Sequence, residues 1–284
     1  MAESKSSSNT IIVAMDGSRP ALNAATLAIQ IARSQRLSIR GVYVVDQTLV
    51  LDMYANYGAE LGGGEEPSAS RPELIAKFEE HGALALSWLA SRCQEADVPF
   101  SRILQIGDVA EVTRAEATAA SLLALGRRGH THEADAQHLG RNFRAIAHHS
   151  RLPLLIGGDE QRPLRRMLLA YNDSDRARHA IEWAVRLQGA LLAEVVVVTV
   201  QEDSQPTQSW REEARTRLTE FNVASSRFFQ RRGQAATEIV AAAAEAQVDL
   251  IVMGGYRHTT ILEWIVGSTV DHVLRSSPLP TLVI

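Results

Sequence analysis

Residues 11–32, IIVAMDGSRPALNAATLAIQIA, decide the fold, because the same pattern returns at residues 167–188 as MLLAYNDSDRARHAIEWAVRLQ. Each copy begins with an apolar run, passes through a short polar turn and continues into an alanine-rich segment with helical periodicity. The two copies are 156 residues apart (167 − 11 = 156), and this offset places Asn172 opposite Asp16. The pattern predicts a buried strand, a tight turn and a helix in both places.

The ends of the two units also correspond. The first closes with SRLPLLI over residues 150–156 and the second with SPLPTLVI over residues 277–284, so that Pro153 matches Pro280 at an offset of 127 (280 − 153 = 127). A repeat that keeps its element order over more than about 100 residues marks two copies of one domain and not a solenoid of short units. We therefore expect a first domain at residues 1–157, a linker, and a second domain at residues 163–284.

The first copy is longer than the second inside the repeat. At the pair Gly126 and Gly254 the offset between the copies is only 128 (254 − 126 = 128). The first copy therefore has 28 extra residues before this point (156 − 128 = 28). We assign them to an insert at residues 47–71, which contains three consecutive glycines and two adjacent acids. Ordering such a segment has a large entropic cost, so we expect it to be mobile without ligand. The alternative is a short lid helix over the first site, formed by Leu49, Val50, Leu51, Met53 and Tyr54.

Strand patterns alternate with helical patterns throughout both copies. Continuous apolar runs between helices are typical of parallel strands that are covered on both faces. The sequence therefore predicts an α/β fold of two tandem domains, each a five-stranded parallel sheet with helices on both faces. In the second copy the pattern predicts a helix at residues 207–232 and a short strand at residues 234–236. Sheets of this kind bind ligands beyond the carboxyl ends of their strands, where the polar and glycine-rich turns of both copies fall.

The composition narrows the class of protein. Of the 284 residues, 45% are hydrophobic and 22% are charged, and the net charge of −4 gives no general reason to bind nucleic acid or an anionic membrane. Cys93 is the single cysteine, so no disulfide forms within the chain, and the polar start MAESKSSSNT lacks the apolar run of a signal peptide. No segment approaches the roughly 20 apolar residues of a membrane span. We expect a cytoplasmic protein with no nucleic-acid or membrane partner.

Three motifs together resemble the universal stress protein family, and the resemblance covers nearly the whole chain. They are the strand that ends in Asp16-Gly17-Ser18, the glycine turn Gly126-Arg-Arg-Gly129, and Gly254 followed thirteen residues later by Gly267-Ser268-Thr269 (267 − 254 = 13). The resemblance implies a tandem universal stress protein with a Rossmann-like, adenine nucleotide alpha hydrolase-like fold that holds ATP between the turns. It also implies that the early Asp contacts the ribose or the base, and that the glycine turn and the Gly-Ser helix start take the phosphates.

The residues that the resemblance marks as nucleotide contacts fall in both copies. In the first copy they are Ala14, Met15, Asp16, Val44, Gly126, Arg127, Gly129, Gly140, Arg141 and Asn142. In the second copy they are Tyr171, Asn172, Met253, Gly254, Arg257, Gly267, Ser268 and Thr269.

Neither copy keeps the whole family pattern. The first keeps Asp16 and both early glycines, but Arg141-Asn142 stands where the family has a small hydroxyl residue. The second keeps the Gly-Ser-Thr helix start, but Asn172 replaces the acid and Arg257 replaces the second glycine. A hydrogen bond to a charged group contributes about 1.5–3 kcal/mol, against about 0.5–1.5 kcal/mol for a neutral one. We therefore expect the first copy to bind ATP more tightly.

These features favour a cytoplasmic universal stress protein that binds an adenine nucleotide (ATP, or else ADP or AMP) and acts as a stress-response regulator. One alternative is an interaction scaffold with empty sites, since glycine turns also serve as plain strand-to-helix connections and Asp16 as a helix cap. A second is a slow ATP-hydrolysing or phosphate-transferring enzyme, although the sequence has no nucleophile–base motif and no Walker lysine. The spacing of His130, His132 and His138 fits no structural zinc site, and nothing in the sequence indicates Mg²⁺.

The closing strands, Leu152–Ile156 and Leu279–Ile284, are apolar and are expected at sheet edges. An exposed apolar edge is an aggregation hazard unless another strand pairs with it. We expect the two closing strands to pair with each other and to join the domains as an intramolecular pseudo-dimer. A homodimer of two such chains is a further possibility that the sequence leaves open.

Overall fold

The computed structural model describes residues 9–60, 70–129, 139–150, 152–160, 162–202, 207–223, 225–255 and 268–284. Within these ranges, strands alternate with helices and form one sheet with an apolar layer on each face. No helix of these ranges is long and apolar enough to cross a membrane.

The described parts of the two halves repeat the same order of elements, except for one additional helix, α2, in the N-terminal half. The described part of the N-terminal half contains β1 (Thr10–Ala14), α1 (Arg19–Gln35), β2 (Ser38–Asp46), α2 (Gln47–Glu60), α3 (Arg71–Glu95), β3 (Phe100–Gly107), α4 (Val109–Ala117), β4 (Leu122–Gly126), α5 (Arg141–His149) and β5 (Leu154–Gly157). The described part of the C-terminal half contains β6 (Arg166–Ala170), α6 (Asp175–Leu191), β7 (Glu194–Gln201), α7 (Thr207–Glu220), β8 (Ser225–Arg232), α8 (Ala235–Glu245), β9 (Leu250–Met253), α9 (Ser268–Ser276) and β10 (Thr281–Val283).

The strands form a single ten-stranded sheet in the order β3-β2-β1-β4-β5-β10-β9-β6-β7-β8. Neighbours within each half are parallel, and the halves meet where β5 and β10 pair antiparallel, with Leu282 opposite Leu155. This confirms the expected pairing of the two closing strands. Each of these short apolar edges covers the other, so the chain carries its own partner strand.

The alternation of side chains along each strand builds two apolar layers. In β1, Ile11 and Val13 face the layer that α1, α3, α6 and α7 cover, whereas Ile12 faces the layer under α4, α5, α8 and α9. Successive side chains of a strand point to opposite faces, so a strand that is apolar at every position is buried on both.

Equivalent helices of the two halves begin and end in the same way. Ser18 caps α1 through a hydrogen bond that its hydroxyl oxygen accepts from the Ala21 amide, and Ser174 caps α6 likewise. Each helix ends at a residue in the left-handed region, Arg36 with a φ of 56° and Leu192 with a φ of 54°. The repeat read from the sequence is therefore a repeat of turn geometry as well as of apolar pattern.

The predicted helix at residues 207–232 is wrong beyond Glu220, and the predicted strand at residues 234–236 is wrong as well. The chain leaves α7 through Asn222, whose φ is 56°, and forms β8 over Ser225–Arg232 before α8 begins at Ala235. Phe228 and Phe229 pack against opposite apolar layers, which is the two-residue period of a strand. The arginines of this edge strand hide that period in the sequence.

The insert begins with a helix. Residues 47–60 form α2, as in the lid-helix alternative, and residues 61–69 lie outside the described ranges. Asp46 starts the helix because its Oδ1 accepts hydrogen bonds from the amides of Thr48 and Leu49, at 3.0 and 3.2 Å.

A buried charge cluster holds the two halves together beside the β5–β10 pair. Arg127 donates to the carbonyl oxygens of Leu274, at 2.8 Å, and Ser277, and to one carboxylate oxygen of Asp159. Arg128 donates to the other carboxylate oxygen. The two arginine side chains are only 3% and 4% exposed, and burial, together with the charge of Arg128, lowers the pKa of Arg127 to about 10. One carboxylate thus serves two buried cations.

We predict that Asp159→Asn lowers the free energy of unfolding by about 3 kcal/mol, because it removes the charged carboxylate that two buried guanidinium groups share. Urea denaturation of the full chain measures the change. Glu95→Gln is the matched control, since its partner Arg92 is more than half exposed and such pairs contribute at most about 1 kcal/mol. Equal losses in the two variants would show that the cluster does not join the halves.

Candidate functional site

A cavity of about 1040 Å³ opens at the carboxyl ends of β1, β2 and β4 in the N-terminal half. One wall is formed by the turns after β1 and β4 and by the start of α5, and the opposite wall by α2 and α3. Ligands of parallel sheets bind at this edge because the connecting turns converge there. The cavity is therefore the candidate functional site.

Asp16 lies in the turn after β1 and borders the glycine turn after β4. Its Oδ1 accepts a hydrogen bond from the Ser18 amide at 2.9 Å, which fixes the turn. Its Oδ2 borders Gly129, since a Cβ at that glycine would stand 2.9 Å from the oxygen. The helix cap of α1 is Ser18 and not Asp16, so helix capping does not account for the acid.

The two early glycines are needed for different reasons. A Cβ at Gly126 would lie 2.8 Å from the backbone nitrogen of Ala21, so this glycine lets β4 pack against the start of α1. Gly129 has no such backbone neighbour, and its φ is not in the left-handed region. The space that it leaves is next to the Asp16 carboxylate, on the cavity wall. Gly126 is explained by packing, and Gly129 by the site.

The start of α5 provides the anion-binding geometry of the cavity. Gly140 is the N-cap and has no side chain to satisfy the first amides of the helix, whereas Ser18 and Ser70 cap their helices through their hydroxyls. Uncapped amides at a helix N-terminus attract negative charge. Arg141 and Asn142, the next two residues, line the cavity and donate to Asp46 Oδ2 at 3.4 and 3.3 Å.

Tyr43 forms the part of the wall between the two sides. It is 6% exposed, and a Cβ at Gly82 of α3 would overlap its ring, so the glycine makes room for it. Burial, followed by the charge of Asp16, raises the pKa of Tyr43 to about 12. The phenol therefore stays neutral near pH 7 and presents an aromatic, uncharged surface to the cavity.

The structure brings nearly all the residues predicted in the first copy to one cavity. Those that line it are Ala14, Met15, Asp16, Val44, Gly126, Gly129, Gly140, Arg141 and Asn142.

The side chain of Arg127 does not lie where the predicted nucleotide contact requires it. Its guanidinium does not line the cavity but lies in the buried cluster with Asp159, Leu274 and Ser277. Arg128, the next residue, lines the cavity, and its guanidinium also donates to Asp159. The contact of both arginines with Asp159 depends on a residue about 30 positions later, and the sequence alone gives no sign of it.

Sequence reasoning missed the wall from α3. Leu74, Lys77, Phe78 and His81 line the cavity and are spaced at i, i+3, i+4 and i+7, which is one face of a helix. That spacing was the available signal. Asp46 was also missed, because its role depends on a contact with α5 almost 100 residues later.

In the C-terminal half, the turn after β6 repeats the geometry of the first half. Asn172 Oδ1 accepts hydrogen bonds from the Ser174 amide at 3.4 Å and its hydroxyl at 2.7 Å. A Cβ at Gly254 would lie 2.8 Å from the Ala177 amide nitrogen, as at Gly126. Met253 is the buried end of β9. These residues meet the packing needs of the fold in the same way as their first-copy equivalents.

A network of charged side chains occupies the carboxyl end of β6. Asp173 takes the place of Gly17 with a φ of 57° and accepts hydrogen bonds from Arg178 at 2.6 Å and from the Tyr171 hydroxyl at 3.3 Å. Arg178 also donates to Glu213 on α7, at 3.3 Å. Burial, followed by the charges of Glu213 and Asp173, raises the pKa of Tyr171 well above its usual range. Tyr171 occupies the position equivalent to Met15, which lines the first cavity. Near this position, the hydrogen bond from Arg178 to Glu213 joins α6 to α7.

The remaining predicted residues have different outcomes. Ser268 and Thr269 form the start of α9, and neither is buried. Arg257 and Gly267 lie outside the described residues, as do His130, His132 and His138. In the part of the chain that the structure describes, no group of three or more His, Cys, Asp or Glu side chains is arranged to hold a metal ion.

Comparison with known proteins agrees with this architecture. The model of the universal stress protein family matches residues 8–156 and again residues 163–284. The universal stress protein Slr1230 of Synechocystis sp. is 25% identical over 96% of this chain and 98% of its own length. The crystal structure of a universal stress protein from Archaeoglobus fulgidus has a TM-score of 0.73 at 20% identity, and the match covers 97% of this chain and 98% of that one.

Single-domain members match less of the chain. One universal stress protein solved in complex with cAMP covers 43% of this chain at 22% identity with a TM-score of 0.36, and 98% of its own length is matched. An Arabidopsis thaliana member with AMP bound covers 42% at 15% identity with a TM-score of 0.33, and 90% of its own length is matched. Two consecutive family matches account for almost all of the sequence, and the chain belongs to the universal stress protein family.

Proposed function

We propose that this protein binds one adenine nucleotide (ATP, ADP or AMP) in the N-terminal cavity and acts as a stress-response regulator. The observation that carries the proposal is the convergence of Asp16, Gly129 and Gly140 on one cavity wall. A carboxylate for a ribose or base, an open glycine turn and an uncapped helix start are the groups that a nucleotide requires. Universal stress proteins with cAMP and with AMP bound show that members of the family take adenine nucleotides.

The N-terminal half is the better candidate of the two. Its acceptor, Asp16, is charged and borders Gly129 on the cavity wall, whereas Asn172 is neutral and accepts two hydrogen bonds from Ser174. The ion network of Asp173, Arg178 and Glu213 crosses the matching place in the C-terminal half. A ligand would have to break this network before it reached the Asn172 turn, and that adds a cost to binding there.

Two other functions are separable by experiment. An empty interaction scaffold would release no small molecule when the purified chain is denatured, whereas the proposed binder would release an adenosine compound detectable by mass spectrometry. A slow ATP-hydrolysing or phosphate-transferring enzyme would convert labelled ATP. The described cavity residues show no nucleophile held by a base, so we propose that the protein binds the nucleotide and does not turn it over.

A cytoplasmic location and assembly into a homodimer are further parts of the proposal. The single thiol, Cys93, is buried and burial raises its pKa to about 11, which keeps it unreactive in any compartment and compatible with a reducing cytoplasm. Light scattering on the purified chain would measure whether its mass is that of one copy or two.

We predict that Asp16→Asn weakens adenine nucleotide binding at least about tenfold, because a neutral acceptor replaces a charged one. Asparagine keeps an oxygen for the Ser18 amide, so the turn should stay intact, as Asn172 shows in the other half. Isothermal titration of the full chain with ATP, ADP and AMP measures the loss.

Asn172→Ala is the control for this variant and should change the affinity less than about twofold, because the second turn does not hold the ligand. The reverse result, with binding lost in Asn172→Ala and kept in Asp16→Asn, would assign the ligand to the C-terminal half.

We also predict that Gly129→Ala reduces nucleotide affinity by about tenfold while the melting temperature changes little. The added Cβ would stand 2.9 Å from Asp16 Oδ2 and push the carboxylate aside, yet the backbone of Gly129 needs no left-handed φ. Gly189→Ala is the matched control, since its Cβ would meet nothing within 4 Å. Unchanged affinity in Gly129→Ala would mean that the Asp16 carboxylate does not contact the ligand.

A further inference from the structure

Apolar side chains lie on the wall of the cavity opposite the glycine turns, beside the polar residues Asp52, Lys77 and His81. The apolar ones are Leu49 and Met53 of α2 and Leu74 and Phe78 of α3, each pair four residues apart on one helix face. Tyr54, which is 40% exposed, lines the cavity as well. We call the space bounded by Leu49, Met53, Tyr54, Leu74 and Phe78 the lid compartment. Apolar surface that faces a cavity can be covered by an apolar ligand group.

The lid compartment belongs to the N-terminal half alone. There β2 ends at Asp46 and α3 begins at Arg71, with α2 between them, whereas in the C-terminal half β7 ends at Gln201 and α7 begins at Thr207. The helix α3 has 25 residues and α7 has 14, and the cavity-lining residues of α3 fall within its first eleven. Helix α2 and the first eleven residues of α3 are thus an addition to the repeated fold. The whole cavity, at about 1040 Å³, reaches the upper end of the range of about 300–1,000 Å³ usual for small-molecule sites.

Asp46 connects the lid compartment to the anion-binding end of the cavity. One of its carboxylate oxygens starts α2, and the other accepts hydrogen bonds from Arg141 and Asn142 at the start of α5. The carboxylate is only 12% exposed, so its charge is weakly screened by water. A phosphate at the start of α5 therefore competes with the Asp46 carboxylate for Arg141 and Asn142, and it lies next to the entrance of the lid compartment. The Asp46 carboxylate repels a triphosphate more strongly than a phosphate that carries one charge.

We infer that the site takes an adenine nucleotide whose phosphate is esterified or acylated with an apolar chain, and that the lid compartment holds the chain. The inference rests on the proposed nucleotide site and deepens it. The ester or acyl bond leaves the phosphate with one negative charge, which Asp46 tolerates better than several. The chain extends from the start of α5 towards Met53 and Phe78, and its burial removes apolar surface of both ligand and protein from water.

The test compares two phosphodiesters of adenosine that differ only in the chain, adenosine 5′-methyl phosphate and adenosine 5′-octyl phosphate, with AMP as reference. Both esters carry one charge. Isothermal titration of the full chain should show that the octyl ester binds at least about tenfold more tightly than the methyl ester, since each methylene that leaves water adds to the affinity.

Variants of lid-compartment residues test where the octyl chain of the ester binds. Met53→Asn and Phe78→Asn should each remove most of the advantage that the octyl ester has over the methyl ester, because each replaces an apolar side chain of the lid compartment with a polar one. Leu84→Asn is the matched control on α3, since Leu84 is 64% exposed and lies outside the cavity. Retained binding of the methyl ester also shows that a variant is folded.

The possible outcomes separate a failure of the chain-binding inference from a failure of the nucleotide proposal. If AMP and the methyl ester bind but the octyl ester gains nothing, the lid compartment does not hold a chain and the nucleotide proposal stands. If the octyl ester gains equally in Leu84→Asn and Phe78→Asn, its chain binds elsewhere and the inference fails. If no adenosine compound binds, the nucleotide proposal itself fails and this inference with it.

Discussion

The turn Gly126–Gly129 constrains the whole molecule, because it belongs to the cavity and to the junction of the two halves at once. Its glycines border α1 and Asp16, and its arginines are buried against Asp159 and the carbonyl oxygens of the C-terminal half. The charge cluster lies beside the β5–β10 pair, which makes the two five-stranded units one sheet. The turn therefore links the cavity to the junction of the two halves.

Duplication gave both halves the same turns, and divergence at few positions separated their roles. Gly17 and Asp173 share a left-handed backbone, but only Asp173 brings a carboxylate, and that carboxylate recruits Arg178 and the hydroxyl of Tyr171. In the N-terminal half the corresponding space is a cavity that two additional helix segments enlarge. Among the described residues, this place holds an ion-paired network in the C-terminal half and a cavity in the N-terminal half.

The sequence was sufficient for the parts of the fold that depend on local pattern. The repeat, the parallel strands and the pairing of the closing strands follow from apolar periodicity and from the two proline-containing ends. The strand β8 could not be predicted, because its alternation is carried by Phe228 and Phe229 among arginines and it lies at an edge. The direction of Arg127 and the contact of Asp46 with α5 could not be predicted either, because both depend on residues distant in the chain. Family motifs located the glycine turns, but they gave no sign of the cavity wall that α2 of the insert and the start of α3 form.

We propose that the two halves differ in their affinity for nucleotide and that one adenine nucleotide binds per chain. Equilibrium dialysis of the full chain against labelled AMP, carried to saturation, measures this number directly. We predict a plateau of one nucleotide per chain. A plateau of two would contradict the inequality of the halves, and the absence of any bound nucleotide would contradict the assignment of the cavity.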